Sequence, residues 1–262
     1  MKIKPIFIIS VSIIALLSMG LPHAKSERLT KSFNVESGGT LILDSDLGSV
    51  EIESHSSNVV DIKVHNKGTH TDNFKVNFSQ DGNDVKISGD IDRSLFSMNG
   101  FSSSVRFIIK VPEQYNVDLS TGGGSIELSN LKGSVDARTS GGSINLGRID
   151  GDVEAKTSGG SIHVDEVLGN INAHTSGGSI KAKISTQPTK DSRLTTSGGS
   201  VTAYLSPSIA VDLKASTSGG RVRSDINVSG TLKKTRIEGT INGGGPELYL
   251  KTSGGSVNIK EI

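Results

Sequence analysis

One six-residue phrase recurs through the second half of the chain. It reads TGGGSI at 121–126, then TSGGSI at 139–144, 157–162 and 175–180, with successive threonines 18 residues apart. Looser copies follow as TSGGSV at 196–201, TSGGRV at 217–222 and TSGGSV at 252–257, at spacings of 21, 21 and 35. A fixed period near twenty residues predicts a solenoid, in which each repeat is one coil stacked on the last.

Alignment on the threonine gives the cross-section of a coil. Four residues back stand Val117, Val135, Val153 and Ile171; two back stand Leu119, Ala137, Ala155 and Ala173. The intervening residues are mostly polar, so the period is two and one face of a strand is buried. After the glycines a second strand begins, with a core ladder at Ile126, Ile144, Ile162, Ile180, Val201, Val222 and Val257. A further apolar point follows at Leu131, Ile149 and Val167. The tight corners are assigned to Gly123, Gly141, Gly142, Gly159, Gly160, Gly177, Gly178, Gly198, Gly199, Gly219, Gly220, Gly254 and Gly255, and the looser ones to Gly133, Gly151 and Gly169. Glycine reaches positive φ without a Cβ penalty, and that freedom is the expected reason for its place here. The fold class is therefore all-β: a parallel β-solenoid, or single-stranded β-helix, of ~18–21-residue coils.

Two other repeat architectures fail. A left-handed hexapeptide helix needs an apolar residue at every sixth position, yet Asp150 and Lys156 stand six and twelve after Ile144. The calcium-binding nonapeptide roll needs an aspartate in register with its glycines, and no TSGGSI copy supplies one.

The first 24 residues differ in kind. Lys2 and Lys4 precede an apolar run from Ile6 to Leu17, broken only by Ser10 and Ser12 and followed by small residues. This pattern predicts a secretory signal peptide, cleaved after Gly20 or Ala24. The apolar run is short of the roughly 20 residues that span a bilayer, so no stable membrane span is expected after cleavage. The expected location is outside the cytoplasm, in the periplasm or at the surface of a bacterium. The 262 residues include no cysteine, which excludes a disulfide framework, and the formal charge of +1 argues against a nucleic-acid partner.

Residues 25–116 read as degenerate N-terminal β coils or a cap, and 117–262 as the regular solenoid. In the former, DLGSVEI at 46–52 echoes LKGSVDA at 131–137 and IDGDVEA at 149–155. Asn66-Lys67-Gly68 and Asp81-Gly82-Asn83 have turn chemistry. Residues 88–104, with Leu95, Phe96 and Phe101, are expected to form a loop. Residues 227–245 are an insertion, after which Glu247–Ile259 returns to register and is expected to close the last coil.

FNVESGGTLIL…GSVEI near the start, IIKVPEQYNVDLSTGGGSIEL, the GSVDARTSGGSI coils and the terminal INGGGPELYLKTSGGSVNI together resemble the putative bacterial adhesin domain family. The resemblance covers residues 33–262. It implies a parallel β-solenoid, exported or membrane-anchored, with a role in adhesion or the cell envelope, and it offers no catalytic residues to carry over.

A catalytic set is not expected. Asp44, Asp46, Asp165 and Glu166 are the carboxylates to test against the paired acids of pectin-degrading β-helices, but aspartate is a default turn former. The histidines lack metal-binding spacing, so neither metal nor cofactor is expected. The outward columns are more informative: Asp118, Asp136 and Glu154 lead on to Asn172, Arg193 and Lys214, beside Arg138, Lys156 and His174. Opposite charges in adjacent columns predict a self-compensating polar face. The expected function is a non-enzymatic, exported adhesin or envelope scaffold, with a glycan or an envelope protein as ligand. The alternatives are a polysaccharide-active β-helix enzyme and an envelope-stress accessory protein.

Overall fold

The computed structural model describes residues 25–68, 71–92 and 103–262; the expected signal peptide, His70 and the three apolar residues of the 88–104 segment lie outside them. The strands are β1 (Lys25–Asn34), β2 (Thr40–Ser45), β3 (Ser49–His55), β4 (Val59–Gly68), β5 (Phe74–Asp81), β6 (Asp84–Ile91), β7 (Ser103–Pro112), β8 (Asn116–Thr121), β9 (Ile126–Leu128) and β10 (Leu131–Lys132). The regular coils continue with β11 (Val135–Thr139), β12 (Ile144–Asp150), β13 (Val153–Thr157), β14 (Ile162–Val167), β15 (Ile171–Thr175), β16 (Ile180–Ile184), β17 (Ser192–Thr196) and β18 (Val201–Leu205). The last are β19 (Val211–Thr217), β20 (Val222–Ser224), β21 (Ser229–Lys233), β22 (Arg236–Ile241), β23 (Glu247–Thr252) and β24 (Val257–Glu261).

Each coil gives one strand to each of two facing sheets. The first runs β1-β4-β7-β3-β9-β12-β14-β16-β18-β24-β20, and the second β21-β22-β19-β23-β17-β15-β13-β11-β8-β2-β6-β5. Like residues pair between coils: Ala155 with Ala137 and Ala173, Ile162 with Ile144 and Ile180. The core between the sheets is one apolar cluster, mostly aliphatic with Phe74, Phe107 and Tyr115 toward the N-terminal end, to which every member of the Ile126–Val257 ladder named above contributes a buried side chain. In the coils from β11 to β16 the second sheet contributes Ala137, Ala155 and Ala173 to the layers in which the first contributes Ile144, Ile162 and Ile180, so small residues accompany large ones.

The repeated phrase is explained position by position. The threonine is buried, and its hydroxyl donates to the carbonyl of the second glycine in the coil beneath: Thr139 to Gly124 at 2.8 Å, Thr157 to Gly142 and Thr175 to Gly160 at 2.7 Å. The last serine accepts the N–H of its equivalent in the next coil, as Ser143 Oγ does from Ser161 at 3.2 Å. The second glycine lies against the backbone of the coil below, where a Cβ on Gly142, Gly160 or Gly178 would collide with the preceding glycine's carbonyl. Positive φ is therefore not what these positions require. It occurs at Gly124 (φ 111°) and Gly133 (φ 152°), where the stack begins, but not at Gly142, Gly160, Gly178, Gly151 or Gly169. Close approach, rather than a left-handed turn, selects glycine in the repeated corners.

Both ends of the rod are built on one plan. At the C-terminal end β23 lies between β17 and β19, and β24 lies between β18 and β20. The last coil in sequence is thus the penultimate coil in space, and the expectation that it closes the stack is corrected. The coil carrying β19 and β20 is outermost, and β22 then β21 add to it antiparallel. At the other end β2 and β3 pair directly with β8 and β9, while β6 and β7 lie outside them. There β5 and β4 run antiparallel to the outer strands, and β1 adds to β4. Antiparallel strands break the repeat register and so blunt both ends of the rod against further parallel pairing.

Three local expectations are corrected. Val50 pairs with Ile126, so DLGSVEI is equivalent to the Thr121 corner and not to LKGSVDA, whose Val135 lies in the other sheet. Gly48 shares its positive φ (124°) with Gly124, the corner stacked on it. Asn66-Lys67-Gly68 is the end of β4 rather than a turn, and the buried Asn66 amide donates to Thr71 O at 3.0 Å. Residues 88–91 extend β6, and Ser103 and Ser104 open β7, so the 88–104 loop is shorter than expected.

Candidate functional site

The outer face of the second sheet carries two aligned rows. One passes through Asp118, Asp136, Glu154, Asn172, Arg193, Tyr249 and Lys214; the other through Ser120, Arg138, Lys156, His174, Thr195 and Lys251. Alternation along each strand sends these side chains outward, because the flanking valines, alanines and threonines are buried.

Charges on this face are spent on one another. Arg138 binds Asp136 in its own strand, reaches Glu154 in the next coil at 3.3 Å and approaches Asp118 in the previous coil at 3.9 Å. Lys156 pairs with Glu154, and Lys214 with Glu247 at 2.6 Å. The Lys156 ammonium, with help from Arg138, holds the Glu154 carboxyl below its ordinary range despite partial burial. Asp136 goes the other way: burial raises its pKa, the carboxylates of Glu154 and Asp118 add to that, and Arg138 opposes it. Its Oδ1 is buried without a hydrogen-bond partner. Arg193 stacks on Tyr249 instead of pairing, 4.2 Å from the ring centre.

Beside these rows an axial groove of about 510 Å³ runs over six coils, from Thr40 to Asp191. Its far wall is the column just before each strand: Asn116, Ser134, Asp152, Asn170 and Asp191. Reading for apolar periodicity passes over this column, yet its members work as acceptors between coils. Asn116 Oδ1 accepts from the Ser134 N–H at 3.0 Å, Asp152 Oδ1 from the Asn170 N–H at 2.9 Å, and Asp191 Oδ1 from the Glu247 N–H at 2.8 Å. The Asn170 backbone N–H is the main reason that the Asp152 carboxyl sits below its ordinary pKa, with the Asn170 amide and Lys190 assisting. The signal for this column is a run of Asn, Ser and Asp at one register position.

The four carboxylates singled out for catalysis are not brought together. Asp44 lies on β2 of the second sheet beside Ser120, and Asp46 is in the corner that follows. Asp165 and Glu166 lie on β14 of the first sheet, where Asp165 contacts His163 at 2.8 Å and Glu166 lies 3.4 Å from both Arg148 and Lys183. The described histidines are dispersed likewise: His55 contacts Val59 O at 2.8 Å and His174 contacts Thr195 Oγ1 at 2.9 Å. Among the described residues no helix is long and apolar enough to cross a membrane.

Residues 152–260 match the model of the Toastrack family DUF4097. Crystal structures similar to this chain include a "putative cell adhesion protein" from Clostridium sporogenes, at 16% identity over 91% of this chain and 100% of that one, with a TM-score of 0.38. A "putative adhesin" from Bacteroides fragilis is similar at 14% identity over 90% and 97%, with a TM-score of 0.44. No curated protein matches the sequence significantly. The stretch that matches the Toastrack DUF4097 model, residues 152–260, holds the groove's C-terminal half and the interleaved end coils.

Proposed function

We propose that the protein is an exported, non-enzymatic scaffold that holds a cell-envelope ligand, a glycan or a protein, on the laddered outer face of its second sheet. The observation that carries this reading is the paired state of that face. Arg138 and Lys156 neutralise Asp136 and Glu154 in a flat, repeating array, with the acceptor-lined groove alongside. Such a surface offers many weak contacts at strand spacing and no converging acid and base. The signal-like residues 1–24 support an envelope location.

The test is to incubate the purified chain from residue 25 with isolated bacterial envelope fractions and measure retention and sugar release together. Saturable retention, reduced by reversing Arg138 and Lys156 to glutamate, is the expected result. Release of reducing or unsaturated sugar ends, abolished by an Asp→Asn change, would replace the scaffold with an enzyme. Absence of retention on every fraction would remove the envelope-ligand reading.

A further inference from the structure

Charge is divided along the rod. Residues 180–262 carry 12 Lys and Arg against 6 Asp and Glu, whereas residues 25–179 carry 14 against 21. The formal balance of the whole chain conceals this polarity.

On the outer face of the first sheet the division is ordered by strand pairing. One aligned row passes from Lys63 and Ile108 through Glu51 and Glu127 and reaches Lys181 and Arg223 at the C-terminal coils. A neighbouring row sets Lys183, Tyr204 and Lys260 side by side. The Lys181 and Lys260 ammonium groups lie 5.5 and 5.9 Å from the centre of the Tyr204 ring. Lys183 is 3.4 Å from Glu166, but among the described residues Lys181, Arg223 and Lys260 have no carboxylate partner. This contrasts with Arg138 and Lys156 on the opposite sheet, which are matched by acids. Thr202 and Asn258 stand between the free cations in the same row, with a hydroxyl and an amide facing out.

Unpaired cations at strand spacing on a flat face suit a linear polyanion, since successive charges can be met in turn and no enclosure is needed. A tyrosine flanked by hydroxyl and amide groups narrows the class, because an aromatic ring provides a platform for the apolar face of a sugar. We propose that the first-sheet face of the C-terminal coils binds a linear acidic polysaccharide. Its carboxylates meet Lys181, Lys260 and Arg223, one sugar ring rests against Tyr204, and sugar hydroxyls bond Thr202 and Asn258. Glu127 repels the chain from the other end, where Glu51 is already paired with Arg106 at 3.7 Å, so the unpaired cations fix where along the rod it lies. This face is on the opposite sheet from the one discussed above, so the proposal stands whether or not that face binds anything.

The experiment is calorimetric titration of the chain from residue 25, which holds every described strand, with polygalacturonate, with inorganic polyphosphate and with phosphatidylglycerol vesicles. Polygalacturonate is expected to bind most tightly, and the binding should weaken with salt. Lys181→Ala, Lys260→Ala and Arg223→Ala should each lower affinity about fivefold, while Lys86→Ala on the second sheet should not. Tyr204→Ala should weaken the sugar polymer and leave polyphosphate unchanged, and Tyr204→Phe should restore it. Melting curves matched to wild type keep these losses separate from misfolding. Failure to bind polygalacturonate overturns the proposal. So does equal affinity for polyphosphate with a silent Tyr204→Ala, which means unselective charge attraction, and so does a preference for vesicles, which means a membrane surface.

Discussion

The Thr157 hydroxyl donates to the carbonyl of Gly142, in the coil beneath, at 2.7 Å. Both groups lie at a corner where water has little access, and the same bond recurs from Thr196 to Gly178, Thr252 to Gly199 and Thr217 to Gly255. It joins neighbouring coils where strand pairing has ended. Thr157→Val keeps the shape and strands the acceptor, so it should cost about 1–3 kcal/mol, whereas Thr157→Ser should cost less than half of that. Urea unfolding of the two variants decides; a silent Thr157→Val beside a damaging Thr157→Ser would mean that the methyl group, not the hydroxyl, matters.

The two glycines of a corner should respond very differently to a methyl group. A Cβ on Gly141, the first glycine of its corner, meets nothing, while one on Gly160, a second glycine one coil on, collides with the carbonyl oxygen and carbon of Gly142. Gly160→Ala should therefore cost more than ~3 kcal/mol or prevent folding, and Gly141→Ala should stay within about 0.5 kcal/mol. Because φ is not positive at Gly160, the damage comes from separating coils. Thermal melts of the pair test this directly.

Ile162 is buried between Ile144 and Ile180, and the adjacent His163 points outward to Asp165. Ile162→Ala should cost ~2–5 kcal/mol, because equivalent isoleucines on both sides limit collapse of the cavity. Ala155→Leu overpacks the core at a fully buried position and should cost ~1–3 kcal/mol. His163→Ala should change stability by no more than ~0.5 kcal/mol. A reversed order of the two residue-162 and residue-163 effects in denaturant titrations would disprove the inward assignment.

Acid should weaken the groove column. Asp152 has its pKa depressed below the ordinary 3.8, first by the Asn170 N–H. A depressed carboxyl contributes stability that is fully present above its unfolded value and is lost as pH falls through the folded value. Wild type should thus exceed Asp152→Ala in urea midpoint at pH 7, with the gap narrowing below about pH 4. A gap constant with pH would show that the ionised form is not what the Asn170 amide recognises.

Much of the coil was legible from residues alone, since period-two alternation and the 18-residue repeat specify which side chains face in and which neighbours they meet. Ala137, Ala155 and Ala173 pair with one another as the repeat implies. Stacking order at the ends was not legible, because near-identical corners at Thr196, Thr217 and Thr252 can pair in any sequence. One residue does mark the order. Arg221 replaces the serine whose hydroxyl would accept from a following coil, and the coil that bears it is the outermost. The outward rows were likewise readable as columns. That Arg138 serves three carboxylates while Lys181 serves none depends on side-chain reach across coils, which columns do not encode.

Interleaving of β23 and β24 between older coils has a consequence for how the chain is made. Synthesis proceeds from the N terminus, so β19 and β20 emerge before the strands that will separate them from β17 and β18. The slot can be filled only after β23 and β24 have been made, by a segment that follows a turn at Asn242, Gly243 and Gly244, all of which have positive φ. From β8 to β18 coils can be added in chain order, whereas the C-terminal end is completed by insertion, like a clasp fastened from inside. Until β23 and β24 arrive, the facing edges of β17, β18, β19 and β20 are bare, and a nascent chain halted before residue 247 would be prone to pairing with its neighbours on the polysome.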